Sequence, residues 1–245
     1  MIFSGRISIV LPVYRNRSCL PELHQRLTDT LQALTSDYEL VFVDDCGGDG
    51  SLEWLRECRG RDTRTVVVEQ PQNGGQHRAV LAGLARSSGD AVVTMDADLQ
   101  DPPEAIEQLI RAMQVTGGVV FARRTSRHQP HGRHLTGRIF KRLLRRLSGS
   151  RIPAGTGMYF VAPRTAVDMA VALAGDAPYV PLLFDGTGAR MSAVDVVKSY
   201  RLDGPSAYTA RRRLALAIAA IRQALAMRRA RTPASRTSAL RARER

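Results

Sequence analysis

Cysteine is scarce in this chain of 245 residues: Cys19, Cys46 and Cys58 are the whole complement, an odd number with no C-x-x-C pair. That excludes a disulfide-stapled scaffold and a cysteine zinc site, and makes a reducing compartment the default. His77, His128, His131 and His134 lack the spacing of zinc ligands and take no metal role. Long apolar runs are missing too. The longest, Leu214–Ile221, has eight residues, against the roughly 20 that a membrane-crossing helix needs, so no transmembrane helix is expected. The apolar run in MIFSGRISIVLPVYRNR is too short to supply a signal peptide and its cleavage site, and reads as a strand. There is no G-x-S-x-G, no GKS/T phosphate loop and no G-x-G-x-x-G after a strand, which argues against hydrolase, kinase and dinucleotide-binding readings.

Acidic residues thin out along the chain. Residues 1–122 carry 11 Lys/Arg and 17 Asp/Glu, residues 123–203 carry 14 and 5, and residues 204–245 carry 11 and 1. An acidic half followed by a basic half points to an anionic partner, either phosphate ligands or a membrane surface.

Short, β-branched apolar runs alternate with helix-like segments. Strands are predicted at 7–13, 39–44, 65–68, 91–96 and 118–122, with further strands at 157–163 and 191–204. Helices are predicted at 19–34, 51–58, 76–87 and 103–115; in the first, Leu20, Leu23, Leu27, Leu31 and Leu34 fall on one face. Near-continuous apolar strands alternating with helices predict an α/β fold, a mostly parallel sheet flanked by helices on both sides. Gly83 and Ala85 are read as allowing close helix–sheet packing. Beyond residue 132 two basic amphipathic helices are expected. One carries Leu135, Ile139, Leu143 and Leu147; the other spans 211–231 with Leu214, Ile218, Ile221 and Leu225. The tail 232–245 is small, polar and Arg-rich, and is expected to be disordered.

In such sheets ligands bind beyond the carboxyl ends of the strands, and there the polar clusters fall: YRNR, DDCGGDGS, DADLQDPP and RRTSRH. Asp96 and Asp98 sit one residue apart after an apolar strand, so their repulsion needs a cation to offset it. Hard divalent ions take carboxylate, phosphate and water oxygens, which suits a metal bridged to a diphosphate, with Gln100 adding a neutral carbonyl. Taken alone, D-x-D more often marks solvated turn or capping residues; the string DADLQDPPE after a strand and before a helix favours the metal. Asp101 is a candidate helix N-cap. Asp44 and Asp45 close the second strand and could accept hydrogen bonds from a base or ribose, while Asp49 and Ser51 read as caps. The turn PQNGG either shapes a ligand pocket or is only a tight connection. Arg123, Arg124 and Arg127 follow the fifth strand, and a guanidinium fork matches phosphate oxygens.

IVLPVYRN, VFVDDCGGDGS, QNGGQHRAVLAG and VTMDADLQDPPE, in this order, resemble the motifs of family 2 glycosyltransferases with the GT-A fold. The likeness is to their polyprenyl-phosphate branch, which includes dolichyl-phosphate mannose synthases and undecaprenyl-phosphate aminoarabinose or glucosyl transferases. It covers about residues 6–125 well and continues more weakly through GTGMYFVAPR and SYRLDGPSAY.

The resemblance implies a nucleoside-diphosphate sugar donor, Mg2+ or Mn2+, and inverting transfer to a lipid phosphate. By position, Pro12, Tyr14, Asn16, Asp44 and Asp45 would hold the nucleotide sugar. Asp96 and Ala97 would meet the donor, Asp98 and Gln100 the metal, and Arg124 and Arg201 the phosphates; Asp96, Asp98 and Arg124 form the catalytic set. It also implies a catalytic domain over 1–203, with a donor half to about 125 and an acceptor-side half from 126, then an amphipathic segment over 204–231. Gly155, Phe160 and Ala207 depart from the family pattern on the acceptor side. The expected setting is the cytoplasmic face of the cell membrane, with the basic helices lying on anionic headgroups or packing on the domain or a second copy. A soluble acceptor and a non-catalytic nucleotide-sugar binder are the alternatives. With no nucleic-acid motif and no interleaved aromatics, nucleic acid is not expected as a partner.

Overall fold

The computed structural model describes residues 2–125, 151–175, 179–197, 221–223 and 225. Within them seven strands form one sheet: β1 (Ile7–Val13), β2 (Tyr38–Asp44), β3 (Thr65–Glu69), β4 (Ala91–Thr94), β5 (Val119–Thr125), β6 (Thr156–Pro163) and β7 (Met191–Val197), ordered β3-β2-β1-β4-β6-β5-β7. All pairings are parallel except those of β6, which runs antiparallel between β4 and β5. The Thr94 hydroxyl donates to the Met158 carbonyl across the β4–β6 boundary.

Among the described residues the sheet is accompanied by the α-helices α1 (Leu20–Leu34), α2 (Ser51–Arg61), α3 (Gln76–Arg86), α4 (Ile106–Thr116), α5 (Arg164–Ala172) and α6 (Val180–Gly186). The five leucines predicted to stripe α1 are all buried, and they join Leu55 of α2 and Leu109 of α4 on one face of the sheet. Burying each such side chain is worth about 1.5–3 kcal/mol, so this stripe fixes α1, and Pro21 falls in its first turn, where a missing N–H breaks no helical bond. The other face is covered by α3, α5 and α6, through Val80, Leu84, Val167, Val180 and Phe184.

This division of helices positions the site. From β1 the chain passes through α1 to β2, and through α2 to β3, on one face. It then crosses through α3 on the opposite face to β4, on the other side of β1. The strand order reverses between β1 and β4, and the crevice beyond their carboxyl ends is where open α/β sheets bind ligands. Gly83 lets α3 approach: a Cβ there would stand 2.3 Å from Val10 Cγ1 and 3.0 Å from Val43 Cγ2. Ala85 is exposed and makes no such contact, which corrects that part of the expectation.

The segment after DADLQ also differs from expectation. A 3-10 turn, Pro103–Ala105, precedes α4, and no side chain caps either element. Asp101 is buried and turns back toward the Asp96 amide, 3.5 Å away, because the two prolines direct the chain away from a capping geometry. The predicted helix over Leu135–Leu147, the tail, and most of 211–231 lie outside the described residues.

Candidate functional site

Strand register brings the polar loops to one rim. Val13 of β1 pairs with Asp44 of β2, and Val10 pairs with Thr94 of β4. Asp45 N donates to Val13 O at 2.9 Å and Met95 N to Val10 O at 3.2 Å, so both chains continue alongside β1 as they leave the sheet. Tyr14, Asp45 and Asp96 therefore emerge within a few residues of one another along the strand direction, on neighbouring strands about 5 Å apart.

Among the described residues three non-glycine positions have left-handed backbone, and all three lie at this rim: Arg15 (φ 58°), Cys46 (φ 57°) and Leu99 (φ 60°). Such conformations cost about 1–2 kcal/mol each and persist where surroundings enforce them. For Arg15 and Cys46 the enforcement is loop against loop. Tyr14 N donates to Asn16 Oδ1 at 2.9 Å, Arg15 Nε to Gly47 O at 3.3 Å, and Arg17 N to Asp49 Oδ2 at 2.9 Å. Gly47 has no room for a side chain, since a Cβ would lie 2.7 Å from Arg15 N. Asp49 also accepts from Ser51 N at 3.2 Å, at the start of α2. Burial pushes the Asp49 carboxyl up, but these hydrogen bonds outweigh it and hold the group below the usual range.

Asp44 is buried and accepts from Cys46 N at 3.1 Å. Burial raises its pKa, the Cys46 amide opposes this, and the charges of Asp49, Asp45 and Glu53 add to the rise. Such a carboxyl is poised to gain from a donor group on a ligand. Asp45 has a different position. Its carboxylate accepts from Gly74 N at 2.6 Å, Gly75 N at 2.9 Å and Asn73 Nδ2 at 3.1 Å, and its backbone carbonyl takes a second bond from Asn73 at 2.9 Å. It bolts the loop between β3 and α3 to the end of β2. This is the structural content of the PQNGG turn: Asn73 and the two glycine amides are the bolt's partners.

In the β4 loop, Asp98 Oδ1 accepts from Gln100 N at 3.1 Å, which closes a tight turn over these residues. Leu99 between them is buried in the core shared with α1 and α4. Its burial, about 1.5–3 kcal/mol, exceeds the cost of its left-handed backbone and keeps the turn closed. Asp96 Oδ1 accepts a hydrogen bond from Gln76 Nε2, at the first residue of α3. Ala97 is buried, Gln100 largely so, and Pro12 sits in β1 opposite Val43.

Gln76 and its neighbour His77 were not among the sequence candidates. His77 Nδ1 accepts from Val180 N at 3.3 Å, and burial lowers its pKa to about 4 against the opposing charge of Asp96. The signal was present: His77, Val80 and Leu84 share the i, i+3, i+7 spacing of a buried face.

On β5, Arg123 pairs with exposed Asp195 at 2.5 Å. Arg124 follows it at the carboxyl end of the strand, in register with Val196 of β7. Arg127, Arg201 and Ala207 lie outside the described residues. Gly155 (φ 79°) packs beside Arg123, where a Cβ would meet Cγ at 3.3 Å. An open groove of about 400 Å3 lined by Ser87, Ser88, Arg164 and Asp168 lies at the amino end of β4, away from the described candidate residues.

The donor set suits a hard divalent cation shared with a ligand. The β4 loop offers carboxylate and amide oxygens, and among the described residues no group of three His, Cys, Asp or Glu side chains forms a closed cage. An ion here would complete its shell with phosphate and water oxygens, as Mg2+ and Mn2+ commonly do.

A mostly parallel sheet with an antiparallel strand beside β4 and an acidic loop at the switch point defines a GT-A type nucleotide-sugar transferase fold, and solved structures agree. Glucosyl-3-phosphoglycerate synthase from Mycobacterium tuberculosis, in complex with Mn2+, UDP and glucosyl-3-phosphoglycerate, superposes with TM-score 0.62 at 20% identity, covering 91% of this chain and 80% of that one. The mannosyltransferase PcManGT from Pyrobaculum calidifontis, in complex with GDP-Man and Mn2+, gives 0.59 at 16% identity, covering 93% and 74%.

The model of glycosyl transferase family 2 matches residues 8–169, and the chain belongs to that family. It is 35% identical over 212 residues to the uncharacterized glycosyltransferase YkcC of Bacillus subtilis, covering 86% of this chain and 66% of the relative. It is 34% identical over 211 residues to the undecaprenyl-phosphate 4-deoxy-4-formamido-L-arabinose transferase of Pseudomonas fluorescens, covering 86% and 62%. The chain thus spans slightly less than two thirds of the length of these relatives. Among the described residues no helix is long and apolar enough to cross a membrane.

Proposed function

We propose that this chain transfers a sugar from a nucleoside-diphosphate sugar to a polyprenyl phosphate at the inner face of the cell membrane. One observation carries the reading: Asp96, Asp98 and Gln100 leave β4 at the switch point, beside the loops that leave β1 and β2. The relative named as an undecaprenyl-phosphate transferase supports the acceptor class.

In this reading the nucleotide lies over Pro12, Tyr14, Asn16 and Asp44, where the buried Asp44 carboxyl accepts from ribose or base. Asp45 acts through the loop it bolts. Asp96, oriented by Gln76, meets the donor sugar and diphosphate beside Ala97. Asp98 and Gln100 would hold Mg2+ or Mn2+, which when bound neutralises charge on the departing diphosphate. Arg124 and Arg201 meet phosphate oxygens. The acceptor phosphate already bears an anionic oxygen. That oxygen forms the new bond to the anomeric carbon from the face opposite the diphosphate, which leaves with its bonding electron pair, so the configuration inverts. No proton needs to be removed from the nucleophile, and the chain contributes positioning and charge neutralisation. The basic segments beyond residue 125 would lie on anionic headgroups.

The test is incubation of the full chain with radiolabelled UDP-, GDP- and dTDP-sugars, a divalent ion and polyprenyl phosphate. Label in the organic phase, lost in Asp96→Asn, is the expected result. Transfer only to water-soluble phosphorylated acceptors would overturn the lipid assignment, and donor binding with no transfer to either acceptor would overturn the enzyme assignment. Sedimentation with anionic vesicles, reversed by salt, tests the membrane placement.

A further inference from the structure

The start of α6 is held by two side chains from distant parts of the sequence. Tyr179 N donates to Gln223 Oε1 at 2.7 Å, and Val180 N donates to His77 Nδ1 at 3.3 Å. No side chain of the local turn caps this helix. The His77 and Tyr179 rings pack with centroids 4.7 Å apart. Because Nδ1 of the buried, neutral ring accepts, its proton sits on Nε2.

The same stretch of α3 faces the reaction site. Gln76 precedes His77 and its amide holds Asp96. The N-cap of α3 is Gly75 (φ 84°), which offers no side-chain cap. The first turn of α3 is therefore fixed at one residue by Asp96 and at the next by α6. Gln223 ends a described helical stretch, 221–223, and its Nε2 is buried without a partner among the described residues. That segment is thus linked to the aspartate by a short path of named bonds: Gln223, the Tyr179 amide and ring, His77, Gln76, Asp96.

We propose that His77 is a positioning residue that couples the Gln223 contact at the start of α6 to the aim of Asp96. This rests on the reading of Asp96 as a donor-contacting residue. With Gln223 seated, the amides that open α6 are satisfied and His77 is clamped, so Gln76 presents its amide to Asp96 in one orientation. With Gln223 withdrawn, the clamp loosens at the first turn of α3.

The experiment uses the full chain and two readouts. Backbone hydrogen exchange is followed at Arg78 and Ala79, whose amides close the first turn of α3 onto Gly75 O at 3.0 and 3.1 Å. Turnover is followed as kcat and donor KM separately. Gln223→Met removes the acceptor while keeping length. His77→Leu removes the other acceptor, and His77→Asn keeps an oxygen near the Nδ1 position. Gln223→Met is expected to speed exchange at Arg78 and Ala79 by about 3- to 10-fold, the change expected from one lost hydrogen bond, and to lower kcat more than it raises KM. His77→Leu should do the same and His77→Asn should largely reverse it. Faster exchange confined to Tyr179 and Val180 in Gln223→Met, with Arg78 and Ala79 unchanged, would overturn the coupling. Exchange needs no turnover, so a chain that shows the exchange pattern but transfers no sugar would overturn the functional reading and leave the coupling intact.

Discussion

Asp45→Asn separates two roles that a carboxylate at the end of β2 can play. If Asp45 is chiefly the bolt of the β3–α3 loop, the substitution strikes stability and loop order before donor affinity. The carboxylate accepts from Gly74 N, Gly75 N and Asn73 Nδ2 at 2.6, 2.9 and 3.1 Å. A carboxamide has one acceptor oxygen, and its NH2 group must face at least one of these donors. Hydrogen bonds to charged groups contribute about 1.5–3 kcal/mol each. One such loss, with a donor set against a donor in a buried site, gives about 2–4 kcal/mol. For a domain of this size that is a fall in Tm of about 4–16 °C. Differential scanning calorimetry reads the stability and hydrogen exchange at Gly74 and Gly75 reads the loop. Isothermal titration with a nucleotide sugar reads the site. A Tm within about 1 °C of the parent, with unchanged loop exchange and abolished donor binding, would refute the bolt and make Asp45 a direct ligand contact.

Gly83→Ala forces a Cβ to within 2.3 Å of Val10 Cγ1 and is expected to cost about 1–3 kcal/mol; adding Val10→Ala should recover part of it in urea melts. Acid stability should depend on buried Glu39. Burial pushes its carboxyl up, but hydrogen bonds from Ser8 and Ser88 and the Arg6 charge hold it below its ordinary 4.5. The unfolded chain therefore takes up this proton first. The stabilisation is fully present above pH 4.5 and is lost as pH falls through the folded value. Glu39→Gln should flatten the acid limb of a plot of urea midpoint against pH, and an unchanged limb would contradict this. Asp195→Ala removes an exposed ion pair with Arg123 and should shift stability by less than about 1 kcal/mol, which a thermal melt can check.

Much of the architecture was legible because burial on both faces imposes continuous β-branched runs. The almost entirely buried β1, β2 and β4 show this most clearly, the partly buried β3 and β7 also fall where strands were predicted, and the leucine stripe of α1 is buried as its spacing predicts. The direction of β6 was not legible, since TGMYFVAP records burial but not polarity. Helix α6 was missed because VPLLFDG is shorter than two turns and opens with a Val-Pro pair, too little for a 3.6-residue period to show. At the site, DADLQ announced itself by chemistry, whereas the left-handed backbones of Arg15, Cys46 and Leu99 could not be read from residue types that seldom adopt them. Asp45 looked like its neighbour Asp44 in sequence. Only the fold shows that the Asn-Gly-Gly turn, some 28–30 residues later, delivers its hydrogen bonds to one and not the other.

The claim on which the functional account stands is that the β4 loop grips a divalent ion shared with the donor diphosphate. Isothermal titration of UDP- and GDP-sugars into the full chain, with Mn2+ and with a chelator, in the parent and in Asp98→Asn, tests it most directly. The account predicts that Mn2+ tightens donor binding in the parent by at least about tenfold and that Asp98→Asn abolishes this gain. An equal gain in Asp98→Asn, or donor binding in the parent that is indifferent to the chelator, would contradict it.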